Sequence, residues 1–396
     1  MKSSFSFSAF TAGALAAFVG FAGSFAIVVH GLRSVGASPT EAASGLMAAS
    51  IMMGVCGIVL SFRTGMPISV AWSTPGAAFL ATQAPPEGGF AVAVGSFVVT
   101  AMLIILAGLW KRLGQLITAI PLPIASAMLA GVILPLCLAP FEAIARFPLL
   151  GLAVFGTWLL VARLSRPLAV PAAVFIAAFL IATATEFEAS RMNSLWSNPV
   201  VVAPEFSVPA IIGISVPLFI ITMASQNITG IAVLANFGFR PDAGSMFKWT
   251  GTFGLIAAPF GCHAVNLAAV TAAICAGDEA HPDPSRRYWS AVVAGVAYIV
   301  FGLTAAMAVS FIGASPPILI EAVAGLALLG ALSTAIVSAM ASKRDREAAL
   351  IAFLVTASGV TFFGIGGAFW GLLAGGAIYY WEHRRDEAPR TTGEAT

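Results

Sequence analysis

Charge is what this 396-residue chain has least of: Asp, Glu, Lys and Arg together make up 9% of it, where a soluble surface needs about a quarter. That shortage excludes a water-soluble globule. Cysteine is scarce as well. Cys56, Cys137, Cys262 and Cys275 all lie in apolar runs without CxxC or CxH spacing, so they read as small buried hydrophobes, not as a disulfide frame or a metal site. No Lys/Arg block is dense enough for nucleic acid, and the formal net charge is only +2. HExxH, GxSxG, an intramembrane carboxylate pair and a Cys/His cluster are all absent, which disfavours an embedded enzyme. There is no P-loop, so ATP-driven transport would need another subunit, and no cofactor is implied.

What the chain has is apolar length. Hydrophobic residues make up 59% of it, in runs long enough to cross a hydrocarbon core of about 30 Å. The sequence therefore predicts an all-α polytopic membrane protein in a lipid bilayer. Reading between charges and Pro/Gly breaks gives fourteen segments, near 10–30, 42–61, 66–83, 89–109, 116–138, 143–161, 168–185, 208–236, 245–257, 259–276, 288–312, 316–340, 347–363 and 365–381. The N-terminal apolar run is too long for a signal-peptide core and reads as a retained first helix. With both termini cytoplasmic, only Arg33, Arg146 and Arg191 of the 19 basic residues fall outside. That is the bias the positive-inside rule predicts, and dropping one segment would destroy it.

Two segments cannot be continuous helices. Segment three carries Pro67 and Pro75-Gly76, and proline inside a helix breaks it. An extended stretch over Ile68–Trp72 followed by a short helix from Pro75 fits best, with Ser73 and Thr74 as caps. Segment ten, Ala258-Pro-Phe-Gly-Cys-His-Ala-Val-Asn onward, repeats this grammar, with its helix expected to start at Gly261–His263 and Asn266 on the same side of that helix. The two breaks are third in each set of seven, so the chain reads as 7+7 inverted repeats with discontinuous segments three and ten. Paired breaks of this kind point to a transporter's binding site. Irregular backbone survives at membrane depth only when buried or lining a cavity, and half-helix N-termini there favour anions. The bland alternative is a pair of proline kinks in packed helices.

Segment eight adds a polar cluster in which Thr222, Ser225, Gln226 and Thr229 share one helical face by i, i+3, i+4, i+7 spacing. Such a face points into the bundle or a wet cavity, or serves as interhelical hydrogen-bond glue. His263 is the one histidine within a broken segment; it is either a proton carrier or a satisfied structural donor. Trp72 could stack on an aromatic ligand or simply fill core, and Phe18, Phe21 and Phe25 of segment one carry the same ambiguity.

The blocks Ser225-Gln-Asn-Ile-Thr-Gly-Ile-Ala-Val-Leu234, Ala258–Cys275 and Ala280-His-Pro-Asp-Pro-Ser-Arg-Arg-Tyr288 resemble the benzoate/proton symporter (BenE) family, and the similarity runs along nearly the whole chain. The resemblance implies the inverted-repeat fold of nucleobase permeases and sulfate/bicarbonate-type anion transporters, with a core domain moving against a gate domain. On that pattern residues 1–138 hold core segments 1–4 and the start of the gate, and 139–207 hold gate helices 6–7 and an outer loop. Residues 208–312 hold core segments 8–11, 313–381 gate segments 12–14, and 382–396 a disordered cytoplasmic tail. The resemblance places a substrate site between segments three and ten, beside segments one and eight. Its candidates are Trp72, Ser73, Thr74 and Gly76; Ser225, Gln226 and Asn227; and Gly261, Cys262, His263 and Asn266, with His263 as proton-coupling residue. The implied activity is import of benzoate or a related aromatic carboxylate by proton symport across a bacterial-type cytoplasmic membrane; a homo-oligomer is compatible with it. Nucleobase symporters of this fold carry carboxylates on segments eight and ten. This chain has Gln226, Asn227, His263 and Asn266 there, which suits an anionic cargo. Another organic or inorganic anion is the rival substrate.

Overall fold

The computed structural model describes residues 6–110, 121–184, 196–313, 316–363 and 365–387. It is almost wholly helical. The elements are α1 (Phe7–Ala22), α2 (Phe25–Ser34), α3 (Pro39–Thr64), β1 (Val70–Trp72), α4 (Thr74–Ala81), α5 (Phe90–Leu109), α6 (Leu122–Arg146), α7 (Pro148–Leu164), α8 (Arg166–Ala184) and α9 (Val208–Asn236). They continue with α10 (Ala243–Ala257), β2 (Val265–Leu267), α11 (Val270–Ala276), α12 (Tyr288–Leu303), α13 (Ala305–Gly313), α14 (Pro317–Ala339), α15 (Arg346–Ala357) and α16 (Gly367–Glu387). Each expected segment meets one of these elements. Among the described residues, seven helices are long and apolar enough to cross a membrane, or eight when the α12–α13 pair, bent by 53°, is taken as one span.

Several boundaries differ from the sequence expectation, each for a local reason. Segment one is interrupted at Gly23-Ser24, where Ser24 Oγ donates to Gly20 O at 2.9 Å and caps nothing downstream. Segment five continues to Arg146 because Pro135 and Pro140 are accommodated inside α6. Segment thirteen stops at Ala357, where Gly359 (φ 66°) turns the chain, instead of reaching 363. The tail expected from Glu382 begins as helix, since α16 runs on to Glu387; residues 388–396 lie outside the described residues.

The helices sort into two packed groups. In one, α3 lies along α12, α5 along α10, α1 along α12 and α2 against α4. In the other, α6 packs against α14 and α15, α15 against α16, and α7 against α8. Lipid gives no hydrophobic drive between helices, so association relies on small residues that let backbones approach. Between α3 and α12, a Cβ added at Gly295 would stand 2.6 Å from the Gly54 carbonyl oxygen. The segment before α9 laces the first group together: Ser44 Oγ accepts from Val200 N at 2.9 Å, Val202 N donates to Pro259 O at 2.8 Å, and Glu205 N donates to Ala91 O at 3.0 Å.

The only two-stranded sheet among the described residues joins the broken segments. Strands β1 and β2 run antiparallel with Val70 opposite Leu267, Ala71 opposite Asn266 and Trp72 opposite Val265. Two extended stretches with no helical hydrogen bonds of their own thus satisfy each other in the interior, as backbone at membrane depth must.

Candidate functional site

Segment three folds as its residues predict. Val70–Trp72 is extended, Ser73 leaves the helix axis (φ −82°, ψ 93°), and its hydroxyl accepts from Gly76 N at 3.1 Å. The short helix α4 then begins with Pro75 in its first turn, where a missing N–H costs nothing. Segment ten does not follow the same plan. Ala258–Phe260 forms a 3₁₀ turn closed by Gly261 N donating to Ala258 O at 2.8 Å, Gly261 adopts a left-handed φ of 93°, and the chain runs through Cys262–Ala264 into β2. Its helix starts at Val270, not at Gly261–His263, and Asn266 sits on a strand, not on the helix face. The alanine-rich run winds up only after pairing with β1 has ended.

A cavity of about 500 Å³ lies where these pieces meet the second helix group, within the roughly 300–1,000 Å³ of small-molecule sites. One wall comes from the broken segments and their neighbours: Gly20 and Ser24, Trp72, Thr74 and Pro75, Ser225, Gln226 and Thr229, and Ala268 to Thr271. The other comes from α6, α8 and α14, including Ser126, Arg166, Leu328, Thr334 and Ser338. Thus the starts of α4 and α11 border one space. The lining is mostly apolar, with a few polar groups. Of these, Gln226, Thr74, Ser126 and Ser338 have side chains without a hydrogen-bond partner among the described residues. Helix α11 also starts without a side-chain cap, leaving the positive end of its dipole uncompensated there.

The sequence candidates fall into two layers. Trp72, Thr74, Ser225 and Gln226 line the cavity. Ser73, Asn227, His263 and Asn266 stand behind that wall and hold it in place. Ser73 Oγ also accepts from Thr222 Oγ1 at 3.0 Å, and its carbonyl lies 3.0 Å from His263 Nε2. A carbonyl can only accept, so Nε2 carries the hydrogen; Nδ1 is buried without a partner. Asn227 Oδ1 accepts from Leu267 N at 2.9 Å, and Asn266 Nδ2 donates to Leu267 O at 2.9 Å. Gly76, Gly261 and Cys262 are packing and turn residues. A Cβ at Gly76 would come within 2.5 Å of Leu218 Cδ1, and Cys262 Sγ lies 3.7 Å from Ala264 O.

In α9 the hydrogen-bond pattern widens to a π-turn over Met223–Asn227, a feature frequent at functional sites. The extra residue rotates the helix, so Ser225, Gln226 and Thr229 reach the cavity while Thr222 turns to Ser73. The phenylalanines of segment one do not line it. Phe21 stacks on Phe25 at 5.7 Å and lies 5.6 Å from Trp72, and Phe18 is exposed. The aromatic side chains that border the cavity are Trp72, whose Nε1 donates to Ser24 Oγ at 2.8 Å, and Tyr298, whose hydroxyl donates to Ala16 O at 3.3 Å.

Comparison with known proteins settles the family. Residues 3–381 match the benzoate membrane transport protein (BenE) family. The chain belongs to that family. Within it, the chain is 37% identical to the inner membrane protein YdcO of Escherichia coli K12 over 93% of its own length and 94% of the relative's. It is 31% identical to the benzoate membrane transport protein of Acinetobacter baylyi over 96% of both. Among solved structures, the fold of this BenE-family chain is similar to that of SLC26A9 (TM-score 0.65, 13% identity, covering 96% of this chain and 65% of that one). It is also similar to the transmembrane domain of the cyanobacterial bicarbonate transporter BicA (TM-score 0.56, 14% identity, covering 96% of both). The BenE-family chain is therefore a multi-pass membrane transporter of that fold and not an enzyme.

Ser24, Ser126, Thr271, Tyr298 and Arg166 are cavity residues that the sequence does not single out. Only Ser24 carries a local signal, as part of a Gly-Ser pair inside an apolar run. Arg287, in the third block of the BenE resemblance, has a structural role. Its buried guanidinium donates to Ala276 O at 2.8 Å and His281 O at 2.8 Å and pairs with Asp278, pinning the C-terminal end of α11.

Proposed function

We propose that this protein imports benzoate or a related aromatic carboxylate across a bacterial inner membrane together with a proton, by rocking the first helix group against the second. The observation that carries this reading is one cavity bordered by the starts of α4 and α11 on one side and by α6, α8 and α14 on the other. A ligand there touches both groups, so its binding energy is sensitive to their relative position, which alternating access requires. The cavity's apolar lining suits an arene, and the unpartnered Gln226 amide, the Thr74 hydroxyl and the α11 dipole suit a carboxylate. The name of the Acinetobacter relative agrees with that cargo.

The two broken segments meeting antiparallel support an inverted 7+7 repeat with core segments 1–4 and 8–11. The charge bias supports cytoplasmic termini, which puts the cavity mouth near Arg166 on the cytoplasmic side. Moving a benzoate anion inward against the membrane potential costs about 2.3 kcal/mol per 100 mV, and one accompanying proton cancels that cost. His263 is our candidate carrier. Its unpartnered Nδ1 can accept a proton, and its Nε2 is tied to Ser73, between the cavity residues Trp72 and Thr74. Proton and carboxylate would then favour each other's binding, the reciprocity that symport needs.

The test is uptake of labelled benzoate into proteoliposomes with and without an imposed pH gradient, set against bicarbonate and sulfate. Accumulation driven by the gradient supports the reading. Uptake indifferent to it overturns proton coupling, and preference for an inorganic anion overturns the cargo. Replacing Gln226 with Glu would put a negative charge against the carboxylate in low dielectric and should weaken benzoate binding about tenfold or more; unchanged affinity would mean that segment eight does not face the ligand.

A further inference from the structure

The cavity has a buried end and an exposed end, and the two are chemically unlike. Ser24 and Trp72 are buried, whereas Leu122, Arg166, Thr229 and Thr334 are exposed and line the same space. Arg166, at the start of α8, is the one charged side chain among the described residues that border the cavity, and it has no ion pair among them. Ser126 on α6 and Ser338 near the end of α14 border the cavity too, and their hydroxyls are uncommitted among the described residues. The N-terminal end of α6 and the C-terminal end of α14 are joined by the packing of Ile124 and Ala339. A guanidinium and two free hydroxyl donors therefore come from three ends of the second helix group, apart from the inner donors Thr74 and Gln226 on the first.

We propose that Arg166, Ser126 and Ser338 form a vestibule subsite that takes the carboxylate of an organic anion at the cavity mouth, a second station beyond the inner one at Thr74 and Gln226. The proposal rests on reading the cavity as the substrate path. A guanidinium suits such a mouth because its planar fork matches a carboxylate and it stays charged at all working pH values. Its exposure sets the scale of the effect. A charge at a rim mainly captures and steers, acts over about 10 Å at 0.1 M salt, and fades as salt rises. The inner station at Thr74 and Gln226 offers the anion neutral donors instead. Passing from a screened cation to neutral donors keeps the cargo from being trapped at the mouth.

The experiment uses the full chain in proteoliposomes. Arg166→Gln should raise the KM for benzoate about fivefold at low salt with kcat little changed, the difference shrinking in 0.5 M salt, and Arg166→Lys should recover most of it. Arg166→Cys adds a second readout, because the four native cysteines are buried and the introduced thiol is the accessible one. Benzoate should slow its reaction with a methanethiosulfonate reagent. A cationic trimethylammonium adduct should restore KM to within about twofold of the parent, and an anionic sulfonate adduct should raise it further. Parent-like KM in the Gln variant at low salt would overturn the subsite. If the parent carries no benzoate, the protection assay is repeated with chloride, bicarbonate and sulfate. Protection by one of these keeps the subsite and overturns the cargo; protection by none overturns the subsite itself.

Discussion

The two broken segments look alike in sequence and are built differently. In segment three the strand ends at Trp72, Ser73 caps the next turn and Pro75 opens the helix at once. In segment ten the proline ends the preceding helix, a left-handed glycine turns the chain, and Ala268 and Ala269 intervene before a helix that has no side-chain cap. Beyond the strand pairing that both segments share, segment three has a local cap of its own, Ser73 Oγ on Gly76 N. Segment ten is held from outside, by β1, by Asn227 of α9 and by Arg287 at its far end. Matching positions of proline and glycine thus predict that a chain breaks, while the helix start depends on which groups are free to satisfy the backbone.

The comparison can be broken most severely at Asn227, whose Oδ1 reaches across to hold Leu267 N of β2. Asn227→Leu strands that buried donor, and a loss of about 1–3 kcal/mol is expected in thermal unfolding in detergent, together with loss of transport. A variant as stable as the parent would show that segment ten does not depend on α9.

Ser73→Ala removes the cap of α4 and the acceptor for Thr222. The expected cost is about 1 kcal/mol, and the hydrogen-exchange protection of α4 should fall while that of α11 stays the same. Equal loss in both would mean that the two segments are one cooperative unit.

The smallest stability effect is expected at His263, where Gln can still donate to Ser73 O; a change below about 1 kcal/mol is expected. Its consequence for coupling is large. His263→Gln should keep counterflow exchange of benzoate yet lose accumulation driven by a pH gradient. Parent-like accumulation would remove His263 as carrier and leave the substrate's own carboxyl group as the proton's vehicle.

Much of the site is legible in the sequence for identifiable reasons. Pro75 with Ser73 has one low-energy solution, and that solution is local, so the residues alone reveal it. Gln226 in an apolar run must find a polar place, and it does, at the cavity. The shared helical face expected for Thr222 fails because a π-turn adds a residue to the helix, and period counting assumes that none is added. The helix start expected at Gly261, Cys262 and His263 is displaced by several residues because Val265–Leu267 pairs as a strand.

By itself the sequence determined that the chain lives in lipid and where it cannot remain helical, because those properties follow from local hydropathy and from proline's missing N–H. Only the tertiary structure decided that β1 and β2 pair, which candidates face the cavity and which stand behind it, and that Arg166 of α8 borders the same space as Gln226 of α9. Those outcomes turn on which distant backbone and side-chain groups meet, and a pattern of neighbours along the chain carries no record of that.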